Sequence, residues 1–285
     1  MPDYQGSNFV NISIMSPSGF ILLVPTDFTK VADSALNQAI SLAKKLDGEI
    51  CLLHIVSKES NLEAAEAKLS YMSEKVFSEN QVKTNHISRI GNIFDDIGDV
   101  AAEIGAKLIV MGTHGMTGFQ KITGSHALKV ITNSIVPFIV VQENVIVREY
   151  NKIVFPLDLS RDTKQKLNIT LMLAEKFNSK IYIVTTKAEN STLKVNLDKN
   201  LEYAQNYLSQ HNLSFEVEIL EAGNFVQEIM DFSVKINADL IAIVNSTEGG
   251  LFGSAEAQKI ISNEEKIPVL CVNSAISYSG GMMFS

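Results

Sequence analysis

Cysteine is scarce in this 285-residue chain, which has two, Cys51 and Cys271. Both lie in apolar, strand-like runs, where a thiol is usually a small buried core group. No Cys/His spacing surrounds them, so no metal site is expected. Blocks of lysine or arginine are missing too. The net charge is −8 and the pI about 5.2, which argues against nucleic acid or an anionic membrane as a direct partner. No apolar run approaches the length of a membrane span. No basic residue precedes Lys30, so no signal-peptide n-region is expected. The expected location is the cytoplasm, where Asn168-Ile-Thr and Asn212-Leu-Ser are chance matches to a glycosylation sequon. Catalytic signatures are equally thin. There is no Gly-x-Ser-x-Gly elbow, and no His/Asp pair is spaced to activate a serine.

What is present is a globular composition, 46% hydrophobic and 20% charged, over a length sufficient for two domains. The most informative stretch starts at Leu108. Leu108 to Met111 is a short apolar run, as a buried strand requires. Gly112, Gly115, Gly118 and Gly124 follow, interspersed with threonines. From Ser125 the apolar residues Ala127, Leu128 and Ile131 fall on one helical face. A strand, a glycine-rich loop and a helix start aim backbone amides and a positive dipole end at one point, where an anion such as phosphate can sit. Glycine turns also serve strand-to-helix connections without any ligand, so both readings stand. The loop is not a Walker A, since no Gly-Lys-Ser/Thr closes it, and it lacks the G-x-G start of a dinucleotide fingerprint. Lys121 and His114 are the only cationic candidates near it.

The rest of the chain reads as a repeat. Residues 1–18 form an N-terminal extension in which Asn8 to Met15 could pair as an edge strand. Phe20 to Val24 is a strand ended by Pro25, and Thr29 is placed to cap the helix marked by Ala32, Leu36, Ala39, Ile40 and Ala43. Glu49 to Val56, Val82 to Ile90 and Val136 to Val141 are further strands. Asn92 caps another helix, with Asp95 and Asp96 in its first turn. Residues 142–151 are a polar, charged linker. The order then recurs. Pro156, Asp158 and Ser160 answer Pro25, Asp27 and Thr29, while Gly223-Asn224 answers Gly91-Asn92, with Gln227 placed to complete a capping box. Ala238 to Val244 answers Ala106 to Gly112, and Ile267 to Val272 answers Val136 to Val141. Five strands alternating with four helices, twice, imply parallel-sheet α/β layers with right-handed crossovers.

Gly112-x-x-Gly115 followed by Gly124-Ser125, together with Pro25-Thr26-Asp27, resembles the nucleotide loop of the universal stress protein family. The resemblance runs from about residue 20 to 274 and identifies a tandem member. It implies an α/β fold of two open five-stranded parallel sheets flanked by helices, similar to the adenine nucleotide alpha hydrolases. The implied domains are 19–142, with the nucleotide loop, and 152–274, with a degenerate one, followed by a tail, 275–285. It further implies that ATP, with Mg²⁺, meets Pro25, Thr26 and Asp27 at its nucleoside end, Ile55 near adenine, and Met111 and Gly112 near ribose. His114, Gly115, Gly124, Ser125, His126 and Ala127 would lie near the phosphates. Family domains pair through their last strand, so intramolecular pairing of the halves is expected, with a homodimer also open. The family spacing has nine residues before the Gly-Ser; this chain has eight, Met116 to Thr123, and its loop is one short.

The second half departs at its loop, Ile243-Val-Asn-Ser-Thr-Glu-Gly-Gly-Leu-Phe-Gly-Ser. Either Val244 or Asn245 stands in place of Gly112, and Glu248 would set a negative charge beside a polyphosphate, a repulsion of roughly 4 kcal/mol at 4 Å and an effective dielectric near 20. The second half is therefore expected to be a structural or regulatory partner. His54 reads as a core or sheet-face histidine, and His86 and His211 as surface residues. Ser279-Gly280-Gly281 resembles an ATP pyrophosphatase loop, but that loop follows a first strand and this one lies in the tail. The functional expectation is an ATP-binding stress-response or signalling protein without substantial catalysis. A nucleotide-free interaction module and a slow ATPase are the alternatives.

Overall fold

Thr29 starts the first helix as its position in the sequence predicts. Its backbone is extended (φ −91°, ψ 164°) and its side chain accepts the amide of Ala32. The helix α1 (Lys30–Leu46) buries Ala32, Ala35, Leu36, Ala39, Leu42, Ala43 and Leu46 along one stripe, with Lys44 and Lys45 complementing the negative end of its dipole. It follows β1 (Phe20–Pro25) and leads through β2 (Gly48–Val56) and α2 (Leu62–Asn80) to β3 (Thr84–Ile90). Then come α3 (Ile93–Glu103), β4 (Leu108–Thr113), α4 (Gly124–Thr132) and β5 (Phe138–Gln142). The second half repeats the order: β6 (Lys152–Pro156), α5 (Thr163–Phe177), β7 (Lys180–Thr186), α6 (Ser191–Gln210), β8 (Ser214–Leu220), α7 (Phe225–Lys235), β9 (Leu240–Asn245), α8 (Ser254–Ile261) and β10 (Val269–Asn273).

This computed structural model describes residues 19–113, 124–147, 149–157, 163–187, 191–221, 223–245 and 254–273. The strand expected at Asn8 to Met15 lies outside the described residues. So do His114 to Thr123, Asp158, Ser160, the second loop with Glu248, and the tail with Ser279-Gly280-Gly281.

The two five-stranded parallel sheets join edge to edge. The strand order is β3-β2-β1-β4-β5-β10-β9-β6-β7-β8, one sheet of ten strands. Pairing is parallel within each half and antiparallel at the seam, where Val269, Leu270 and Cys271 face Val140, Ile139 and Phe138. Alternate residues of each strand face opposite layers. Leu22 and Val24 enter one core with α1, α2, α5 and α6, and Ile21 and Leu23 enter the other with α3, α4, α7 and α8. Each core runs through both halves without a break.

Three readings need correction. The segment taken as a polar linker contains Tyr150, fully buried, whose ring meets Phe177 at 5.3 Å; Ser179 donates to its carbonyl. Chain reversal between the halves thus carries an aromatic anchor into the shared core. His86 is half-buried rather than a surface residue. Its ring bridges Ser73 (3.1 Å) and Glu66 (3.0 Å), tying α2 to the edge strand β3. Asn224 does cap α7, accepting from the amide of Gln227, but the Gln227 side chain donates to Asp231 one turn on (2.9 Å) instead of reaching back.

Candidate functional site

The sheet's topology fixes where a ligand can sit. In the first half the chain leaves β1 for one face and β4 for the other, which opens a crevice at the carboxyl ends of these two adjacent strands. A cleft lies there, open to solvent at its mouth. Six of the residues singled out from the sequence line it together: Pro25, Thr26, Asp27, Ile55, Met111 and Gly112.

The turn after β1 is held by its own side chains. The Thr26 amide continues the strand ladder to Leu53 (2.8 Å), and its hydroxyl accepts from the amide of Phe28 (3.1 Å). Phe28 is left-handed (φ 63°), an unfavourable conformation for a bulky side chain. It is offset by two contacts to the ring. His54 packs at 4.4 Å between centroids, and the Lys68 ammonium stands 5.0 Å away. His54 Nδ1 lies 2.6 Å from the Thr26 carbonyl, which can only accept, so Nδ1 carries the proton. Exposed Asp27 accepts through Oδ1 from the amide and hydroxyl of Thr29, at 3.1 and 2.5 Å. Its Oδ2 has no partner among the described residues.

Gly112 has a structural demand of its own. A Cβ there would lie 2.5 Å from the Val31 carbonyl oxygen, so glycine lets the first turn of α1 close on β4. Met111 is buried and Ile55 half-buried, and they form apolar wall with Val31, Leu53, Ile93 and Ile97. The sequence reading did not single out Ile93 and Ile97. Their signal was the apolar face of the helix capped by Asn92, which accepts from Phe94 at 3.0 Å. His54, also not expected at the site, lines the cleft as well.

Beyond β4, α4 begins at Gly124, so the amides of its first turn have no partner within the helix. Ala127 is fully buried, leaving only its backbone for a ligand. His114 and Gly115, and the side chains of Ser125 and His126, lie outside the described residues. The seam is sealed behind this helix. Asn273 at the end of β10 donates to the Thr132 carbonyl (2.5 Å), and Asn245 at the end of β9 donates to the Thr132 hydroxyl (3.1 Å). In return Gln142 at the end of β5 donates to the carbonyls of Ile261 (3.3 Å) and Asn263 (2.6 Å) at the end of α8.

Strand register settles which residue replaces Gly112 in the second half. Leu108 pairs with Leu22 and Leu240 with Ile153, which makes Val244 the counterpart of Gly112 and Asn245 that of Thr113. By the same register Leu157, fully buried, replaces Thr26. A branched side chain thus stands where the first half has a hydrogen, and an alkyl group where it has a hydroxyl.

The described residues contain no helix long and apolar enough to cross a membrane, and no group of three His, Cys, Asp or Glu placed to hold a metal ion. The family profile described as "Universal stress protein family" matches residues 21–142. Universal stress protein Sll1654 of Synechocystis is 33% identical over 131 residues, 42% of this chain and 83% of that protein. Universal stress protein MJ0531 of Methanocaldococcus jannaschii is 29% identical over 138 residues, 43% of this chain and 81% of that protein. Over both halves, the crystal structure of a universal stress protein from Archaeoglobus fulgidus superimposes with a TM-score of 0.69 at 18% identity, covering 90% of this chain and 98% of that one. The chain belongs to the universal stress protein family, with the family's fold repeated in tandem.

Proposed function

We propose that this protein binds ATP in the cleft of its first half and serves a cytoplasmic stress-response or signalling role without substantial catalysis. The observation that carries the reading is the convergence of Pro25, Thr26, Asp27, Ile55, Met111 and Gly112 on one cleft at the β1/β4 crevice. The apolar wall of Ile55, Met111, Ile93 and Ile97 suits a nucleobase. Exposed Asp27, whose Oδ2 has no partner among the described residues, supports a role in accepting from ribose hydroxyls. Amides of the Gly115–Ala127 segment, with Gly124, Ser125 and the imidazoles of His114 and His126, take the phosphates. Magnesium would be held by the phosphates themselves, where it would offset their charge, this ion usually keeping several of its waters. The test is calorimetry with Mg-ATP on the intact chain; absence of heat and of a thermal shift at millimolar nucleotide would end the proposal.

A nucleotide-free interaction module is the second reading. Two observations favour it: Gly112 is required by Val31 alone, and Asp27 already caps the turn through Thr29. If Gly124→Val abolishes an ATP-induced thermal shift without lowering ligand-free stability, this second reading fails. Slow hydrolysis is tested by ADP release that tracks the protein through purification and disappears in the same variant.

A further inference from the structure

Helix α4 is held at its C-terminal end by side chains of the other half. Thr132, its last residue, receives two donors across the seam: Asn273 on its carbonyl and Asn245 on its hydroxyl. The direction of these bonds is fixed. The Thr132 hydroxyl donates its proton to the Leu128 carbonyl (2.8 Å), so it can only accept from Asn245, and a carbonyl can only accept from Asn273. Both amide groups therefore turn their NH₂ toward α4. Their oxygens, Oδ1 of Asn245 and of Asn273, are left buried with no hydrogen-bond partner among the described residues. A buried acceptor without a partner is destabilising, and apolar side chains would fill the same seam without that penalty. The two donors nevertheless fix the C-terminal end of α4 to the second half.

On the basis of the proposed nucleotide site, we infer that Asn245 and Asn273 are positioning residues for it: the second half, lacking the glycine at its own β9 end, orients the helix whose first turn meets the phosphates of ATP. The helix is nine residues, about 13 Å, so its last turn at the seam and its first turn are ends of one short hydrogen-bonded element. Its other anchor belongs to the first half. Asn133 donates to the Phe94 carbonyl (3.3 Å) and to Asp95 (3.0 Å), at the start of the helix that carries cleft residues Ile93 and Ile97. Thus α4 is clamped between the cleft wall and the second half, and nucleotide at one end is linked to the seam at the other. Linkage is reciprocal: what the seam contributes to ATP affinity, ATP returns to the seam.

Gln142 supplies the control. It ties the same seam through α8 and leaves the Thr132 contacts untouched. Mg-ATP is titrated calorimetrically into full-length wild type, Asn273→Leu, Asn245→Leu and Gln142→Leu, with the thermal midpoint of each recorded. The expected result is affinity weakened about fivefold or more in both asparagine variants, the low end of measured site-to-site coupling, and within twofold of wild type in Gln142→Leu. Equal affinities in all four proteins, or the same loss in Gln142→Leu, overturn the inference while leaving ATP binding intact. Silence of the wild type itself marks failure of the ATP reading instead. Should the leucine variants not fold, hydrogen exchange on wild type decides: Mg-ATP should slow exchange in β9 and β10 at least threefold, and protection confined to the first half overturns the inference.

Discussion

Gln142 and Asn273 occupy equivalent positions at the ends of the two strands that pair at the seam, and each donates to the carbonyls ending the other half's last helix. The seam is thus a pseudo-twofold exchange of helix caps laid over an antiparallel strand pair. Removing one partner at a buried site exposes the penalty of the group left behind.

Gln142→Leu is expected to destabilise the ligand-free chain by about 1–3 kcal/mol, because the Ile261 carbonyl loses its donor and the Asn263 carbonyl keeps only the Lys266 amide at 3.4 Å. Both cores cross the seam, so urea unfolding followed by far-ultraviolet circular dichroism and by tyrosine fluorescence should give coincident transitions in wild type and variant. Separated transitions for the two halves would contradict the continuous cores.

Gly112→Ala places a Cβ 2.5 Å from the Val31 carbonyl, a backbone atom that cannot swing aside. The start of α1 must shift, at a cost of about 1–3 kcal/mol. Because Val31 and Gly112 both line the cleft, the same variant should weaken Mg-ATP as well as lower the thermal midpoint. A stable protein with unchanged cleft chemistry by calorimetry would refute the account given for this glycine.

Asp27→Asn separates the turn from the ligand. The amide oxygen still accepts from Thr29, so stability should change by less than about 0.5 kcal/mol, as for most surface substitutions. Loss of the carboxylate should nevertheless weaken nucleotide binding about fivefold or more, since hydrogen bonds to charged groups contribute about 1.5–3 kcal/mol. Equal affinities by calorimetry would assign Asp27 to the turn alone.

Alkaline pH should destabilise the fold. Burial, with a minor contribution from Glu49, pushes the Cys51 thiol from 9.0 up to about 12, and burial pushes Cys271 and Tyr150 higher still. Groups whose folded pKa is raised keep their protons in the native state and release them on unfolding. Stability is therefore full below about pH 9 and falls as pH rises toward 12, by about 1.4 kcal/mol per pH unit for each group released. Urea midpoints between pH 7 and 11 should show this slope, and Cys51→Ala should flatten it. Alkylation of either thiol in the native protein at pH 8 would contradict their burial.

The alternating elements were legible because each strand and helix carries its own period, and because the pattern occurs twice. Thr29 and Asn92 could be read as caps from local chemistry alone. The seam was not legible in this way. Gln142, Asn245 and Asn273 look like polar residues at strand ends, and only the antiparallel meeting of β5 and β10 gives them partners more than 110 residues away. Tyr150 was hidden by its polar neighbours: composition describes a segment, while burial is decided residue by residue. His86 was misjudged similarly, since its partners Ser73 and Glu66 lie on the preceding helix and meet it only once that helix packs on β3. In the cleft, Pro25 to Asp27 and Met111-Gly112 come from strands adjacent in space, and topology alone brings them together.

The most direct test of the account counts nucleotide. Titration of Mg-ATP into the intact chain should saturate at one equivalent, held by the half that has Gly112 and not by the half that has Val244. Saturation at two equivalents, or no uptake at millimolar ATP by a folded protein, would contradict it.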